Sequence, residues 1–205
     1  MKITIADYGI GNLFSIRKGL ERAGADVEIA DNMSALASAE CLVFPGVGAF
    51  GEAMRKLGPV RKELVESLRD GTPALGICLG MQLLFDSSEE SPEDGLGFVA
   101  GKVVRLGGPR IPQMGWNDVS FSKGEPLFEG VKSGTQFYYA NSYVCAPSAR
   151  GRGNCATIAR SVYGRGEFAA AVSKSNAYGV QFHPEKSGDA GLRVLRNFVE
   201  IAGGK

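Results

Sequence analysis

Histidine is almost missing from this chain, with one in 205 residues. Any chemistry here that needs an imidazole must use His183. Tryptophan also occurs once, at Trp116. Neither sign of charge dominates: 23 Lys and Arg against 22 Asp and Glu leave a net charge of +1. A nucleic-acid binder carries a basic excess or a basic stripe, so direct binding of nucleic acid is disfavoured. No apolar run approaches the roughly 18 residues of a membrane-spanning helix. The amino terminus, Met1-Lys-Ile-Thr-Ile5, reads as a strand and not as a signal peptide. The four cysteines, Cys41, Cys78, Cys145 and Cys155, form no C-x-x-C pair, and one histidine cannot complete the usual Cys/His zinc sets. A cytoplasmic protein with reduced thiols, no membrane contact, no metal and no cofactor is expected.

What is present is an ordinary globular composition, 44% apolar and 22% charged, with an unusual 29 glycines. The length predicts one domain over 1–205. The first half alternates strands and helices. Lys2–Asp7 has strand periodicity, Gly9–Asn12 a turn, and Leu13, Ile16, Leu20 and Ala23 recur at helical spacing. Val27–Ala30, Cys41–Phe44 and Pro73–Ile77 read as further strands. A helix is predicted around Val60–Leu68, closed by Gly71, and another beginning at Met81. Six more strands follow, near 102–106, 116–120, 135–139, 156–161, 168–172 and 177–182, before a closing helix around 192–199. The fold class is therefore α/β: a mixed, mostly parallel central sheet with helices on both faces, plus antiparallel strands in the second half. The acidic stretch Glu89–Asp94 is expected to be a solvated loop.

Three segments carry chemistry. In Pro73-Ala-Leu-Gly-Ile-Cys-Leu-Gly-Met-Gln82, Cys78 stands between Gly76 and Gly80 where a strand meets a helix. This G-x-C-x-G is the thiol counterpart of the serine nucleophile elbow, whose sharp turn leaves no room for Cβ atoms beside it. Helix N–H groups at such a turn favour a thiolate and then an oxyanion. The bland alternative is a buried cysteine among packing glycines. In Val180-Gln-Phe-His-Pro-Glu185, extended backbone would put His183 and Glu185 on one side. Glu185 can then orient the ring while its other nitrogen serves Cys78. Finally, Pro45-Gly-Val-Gly-Ala-Phe-Gly51 leaves a strand at the edge where open α/β sheets place ligands. It fits neither G-x-G-x-x-G nor the Walker pattern.

Taken in chain order, the loop from Pro45, the Cys78 elbow and the His183 segment resemble the class I, triad-type glutamine amidotransferases over essentially the whole chain. Within that family, Pro112-Gln-Met-Gly-Trp-Asn117 and Tyr138-Tyr-Ala-Asn-Ser-Tyr143 are similar to glutaminase subunits of histidine biosynthesis. The resemblance implies glutamine as substrate, Cys78 as nucleophile, His183 as base and acid, and Glu185 as its orienting carboxylate. It implies an oxyanion hole from Leu79 with Gly46 or Val47. Gly48, Gln82, Ser142 and Tyr143 would hold glutamine. Met114, Trp116 and Lys186 would face the partner, a (β/α)8-barrel cyclase subunit in a heterodimer that makes imidazole glycerol phosphate from the delivered ammonia. Two positions depart from the family pattern: Asn141 and Gln113 stand where histidines are usual. A glutaminase for another pathway (pyridoxal phosphate, purine or sugar-modifying) and a non-catalytic scaffold are the competing readings.

Overall fold

The computed structural model describes residues 1–9, 12–148 and 155–204. The turn expected at Gly9–Asn12 therefore lies partly outside the described residues. The first half runs β1 (Lys2–Ala6), α1 (Leu13–Arg22), β2 (Asp26–Ala30), β3 (Leu42–Phe44), α2 (Phe50–Leu57), α3 (Arg61–Arg69), β4 (Ala74–Ile77) and α4 (Leu79–Leu83). The second half runs β5 (Ser87–Ser88), β6 (Ser91–Asp94), β7 (Gly101–Arg105), β8 (Gln113–Phe121), β9 (Thr135–Asn141), β10 (Tyr143–Pro147), β11 (Ala156–Tyr163), β12 (Gly166–Lys174), β13 (Ala177–Val180) and α5 (Gly188–Ala202).

Among the described residues the main sheet has nine strands in the order β2-β1-β3-β4-β13-β12-β11-β8-β9. The pairings from β2 across to β13 are parallel. From β13 outward through β12, β11, β8 and β9 they are antiparallel. A smaller sheet, β10-β7-β5-β6, lies beside it. Alternation along the parallel strands divides the core. Ile3, Ile5, Val43, Leu75 and Ile77 pack with Ile16 and Leu20 of α1 and with Val194, Leu195 and Phe198 of α5. Leu42, Phe44 and Ala74 pack on the other face with Phe50 and Met54 of α2, Leu64 and Leu68 of α3, and Met81 of α4. Each large side chain buried this way contributes about 1.5–3 kcal/mol against chain entropy.

The mixed sheet with helices on both faces is as expected, and four local readings need correction. The helix after the elbow starts at Leu79, not Met81, and ends at Leu83, because its N-terminus is the elbow itself. The acidic stretch is not all loop: Ser91–Asp94 pairs with β5, and Glu90 turns inward. The strand expected near 116–120 begins earlier, at Gln113, so that 113–115 also pair with β9, with Met114 and Trp116 exposed. His183 is extended, but Pro184–Lys186 form a 3-10 turn. Glu185 therefore reaches the ring by curling back, not along a strand.

Candidate active site

β4 and β13 lie side by side in parallel register, Ile77 opposite Val180. The elbow and the His183 segment are the two chain continuations at that shared edge. Cys78 adopts φ +50°, ψ −104°, rare for a residue with a Cβ. The turn is held by the Cys78 N–H donating to the Val180 carbonyl at 2.7 Å. Its tightness explains both glycines. A Cβ on Gly76 would lie 2.6 Å from the Gly80 carbonyl, and one on Gly80 only 2.0 Å from the Phe44 oxygen. As the first residue of α4, Leu79 has an N–H without an intrahelical acceptor.

His183 is fully buried and Glu185 nearly so, and Nδ1 lies 2.8 Å from Glu185 Oε1. His183 Nε2 makes no hydrogen bond of normal geometry, yet Cys78 is close enough to act on the ring. Burial disfavours the imidazolium. The Cys78 charge and Glu185 more than offset it, and the pKa is raised from 6.5 to about 10. The ring is anchored from behind: the His183 N–H donates to the Tyr138 carbonyl at 2.8 Å, and the Ser187 hydroxyl to the His183 carbonyl at 2.7 Å.

A cavity of about 210 Å³ opens over Cys78. Its lining comes from the Gly46–Gly48 loop, from Leu79 and Gln82 of α4, and from residues 140–143 at the β9–β10 junction. All the residues expected for an oxyanion hole or for glutamine thus share one cavity with the thiol. Gly48 sits at φ +130°. A Cβ on Gly46 would come within 3.2 Å of His183 Cε1, so the loop lies against the imidazole. The Tyr8 hydroxyl, buried beneath the loop, donates to the Pro45 carbonyl and anchors its start. Asn141 is buried and donates to the Tyr143 carbonyl at 3.0 Å. Gln113 is buried in β8, where it pairs with Asn141 of β9, but it does not itself line the cavity.

Sequence reading missed two residues. Glu90 is the charged side chain of the cavity lining. Its Oε2 accepts from the Phe50 N–H at 3.2 Å, capping α2, whose own N-cap, Ala49, offers no side chain. Burial raises its pKa against that bond. The acidic run hid it. The second is Gln181, quoted within its motif but given no task, which touches Cys78 Sγ. The other cysteines are remote from such chemistry: burial pushes the Cys41 thiol up to about 12 and raises Cys145 and Cys155.

Met114, Trp116 and Lys186 do not line the cavity. Met114 and Trp116 are 69% and 55% exposed. Trp116 packs edge-on to Tyr138, and the Lys186 ammonium lies 5.7 Å from the same ring's centroid. Together they make an aromatic, cation-edged patch whose backbone, at Tyr138, bonds to His183. Among the described residues no helix is long and apolar enough to cross a membrane.

A family model described as glutamine amidotransferase class-I matches residues 4–202. The chain is 46% identical over 205 residues to imidazole glycerol phosphate synthase subunit HisH of Methanosarcina mazei, covering 98% of each. It is 47% identical over 204 residues to the subunit of the same name from Thermococcus kodakarensis, covering 97% of this chain and 100% of that one. Among solved structures, a glutamine amidotransferase superposes with a TM-score of 0.75 at 21% identity over 98% of both chains. A chain of PurLQS from Thermotoga maritima gives 0.74 at 19% identity, again over 98% of both. These two likenesses concern the fold alone.

Proposed function

The chain belongs to the class-I glutamine amidotransferases, and we propose that it is the glutaminase subunit of an imidazole glycerol phosphate synthase. The observation that carries the reading is one cavity holding a strained thiol beside a buried His183–Glu185 pair. Cys78 attacks the side-chain amide carbon of glutamine as the thiolate, its proton resting on His183 Nε2. The tetrahedral oxygen is held by the Leu79 N–H and an N–H at Gly46 or Val47. His183 gives its proton to the departing nitrogen, ammonia leaves, and a γ-glutamyl thioester remains on Cys78. Water, deprotonated by His183, then releases glutamate. Glu185 keeps Nδ1 protonated and the ring aimed.

Within the cavity, Gly48, Gln82, Ser142 and Tyr143 would hold the amino-acid end of glutamine. Glu90 offers the negative charge its α-ammonium needs. Asn141 holds the Tyr143 carbonyl, so that strand stays ordered without the usual histidine. Ammonia would be useless in bulk water, and the exposed Met114–Trp116–Lys186 patch beside the site fits a docked cyclase subunit. Docking there would bear on Tyr138, whose carbonyl holds the His183 backbone. The loop around Gly46 and Gly48 can rotate its peptides, so the isolated chain should be a poor glutaminase.

The test is glutamine turnover with and without the histidine-pathway cyclase and its nucleotide ligand. Turnover should rise by orders of magnitude with that partner. A rise with a pyridoxal phosphate or purine synthase partner instead would move the chain to another pathway.

A further inference from the structure

Gln181 has no part in the chemistry above, yet it is fully buried. A buried amide is costly unless both its ends are bonded. One end lies 3.4 Å from Cys78 Sγ and the other 3.3 Å from Gln82 Nε2. An amide can be turned end for end, so the network must decide which end meets the sulfur. The Tyr143 carbonyl can only accept, and Gln82 presents its NH2 to it at 3.1 Å. The second proton of that NH2 points at Gln181, whose oxygen must therefore face Gln82. The NH2 of Gln181 is left for Cys78. Its backbone is fixed too, the Gln181 N–H donating to the Ala170 carbonyl at 2.8 Å.

We propose that Gln181 is a catalytic residue of the glutaminase, its amide N–H donating to Cys78 Sγ and holding the thiolate, with the thiol proton passing to His183 Nε2. A donor bonds a thiolate more strongly than a thiol, so the charged form gains. The amide is itself neutral and does not compete with His183 for the proton. The sulfur's other neighbours are the Ala140 carbonyl, 3.9 Å from Sγ, and His183 with Glu185 behind it, while Glu90 lines the same cavity. Tyr8, Tyr139 and Cys145 are pushed up by burial and stay neutral at physiological pH.

The proposal rests on the reading of Cys78 as nucleophile, but its test needs no glutamine, so the two can fail separately. Iodoacetamide alkylation of Cys78, in which the thiolate displaces iodide, is followed by mass spectrometry of the Cys78 peptide. In Gln181→Met the rate at pH 7 should fall about tenfold, since one hydrogen bond to a charged group is worth about one factor of ten. Above about pH 10, where the proton shared by the pair is lost from His183, the amide no longer decides which partner holds it and the rate should change little. Equal slowing at both pH values, or none, overturns the proposal. If Gln181→Met does not fold, Gln82→Met removes the partner that orients the Gln181 amide, and the same two outcomes apply.

Discussion

Because the chain has a single histidine, one imidazole resonance reports directly on the active site. The perturbation is Cys78→Ala, which removes the sulfur and leaves Glu185 in place. In the unaltered protein His183 holds its proton to about pH 10, burial being outweighed by Cys78 and Glu185. A unit charge roughly 4 Å away at an effective dielectric of ~20 is worth about 4 kcal/mol, or about three pKa units. Without Cys78 the midpoint should therefore drop below about 8. The assay is an NMR titration of the His183 Cε1 proton in both proteins. Linkage gives a second readout. A group whose pKa is raised on folding stabilises fully below its unfolded value, here 6.5, and loses that contribution as pH rises through about 10. The denaturation midpoint of the unaltered protein should fall across that interval, and that of Cys78→Ala should fall less. Identical titration in the two proteins would refute the claim that ring and sulfur interact.

Two further outcomes follow from packing and exposure. Gly80→Ala places a Cβ 2.0 Å from the Phe44 oxygen. It should destabilise by more than about 3 kcal/mol or prevent folding, measured by thermal melting; a stable, active variant would contradict the elbow geometry. Trp116→Ala removes a half-exposed side chain from the proposed docking patch. It should weaken cyclase binding by roughly 10- to 100-fold in calorimetry with the isolated chain's melting unchanged, and unaltered affinity would move the interface elsewhere.

The sequence disclosed those features whose causes are local. Ile3 and Ile5 alternate, the glycines flank Cys78 for steric reasons, and Pro184 separates the histidine from its carboxylate by one residue. What stayed hidden depends on distant partners. α2 has no cap of its own and is closed by Glu90, forty residues on. β10 was missed because its partner, β7, lies across a chain segment that also builds β8 and β9. Glu90 looked like one more charge in an acidic run. Gln181 stood in plain view, but only the two bonds from Gln82 fix which way its amide faces.

The most direct measurement is peptide mapping after a brief exposure to isotope-labelled glutamine with the cyclase present, followed by an acid quench. The γ-glutamyl label should sit on the peptide bearing Cys78, at no more than one per chain, and should be absent from Cys78→Ala. Steady turnover with the label on another side chain, or with none bound to any cysteine, would contradict a thioester mechanism at this elbow.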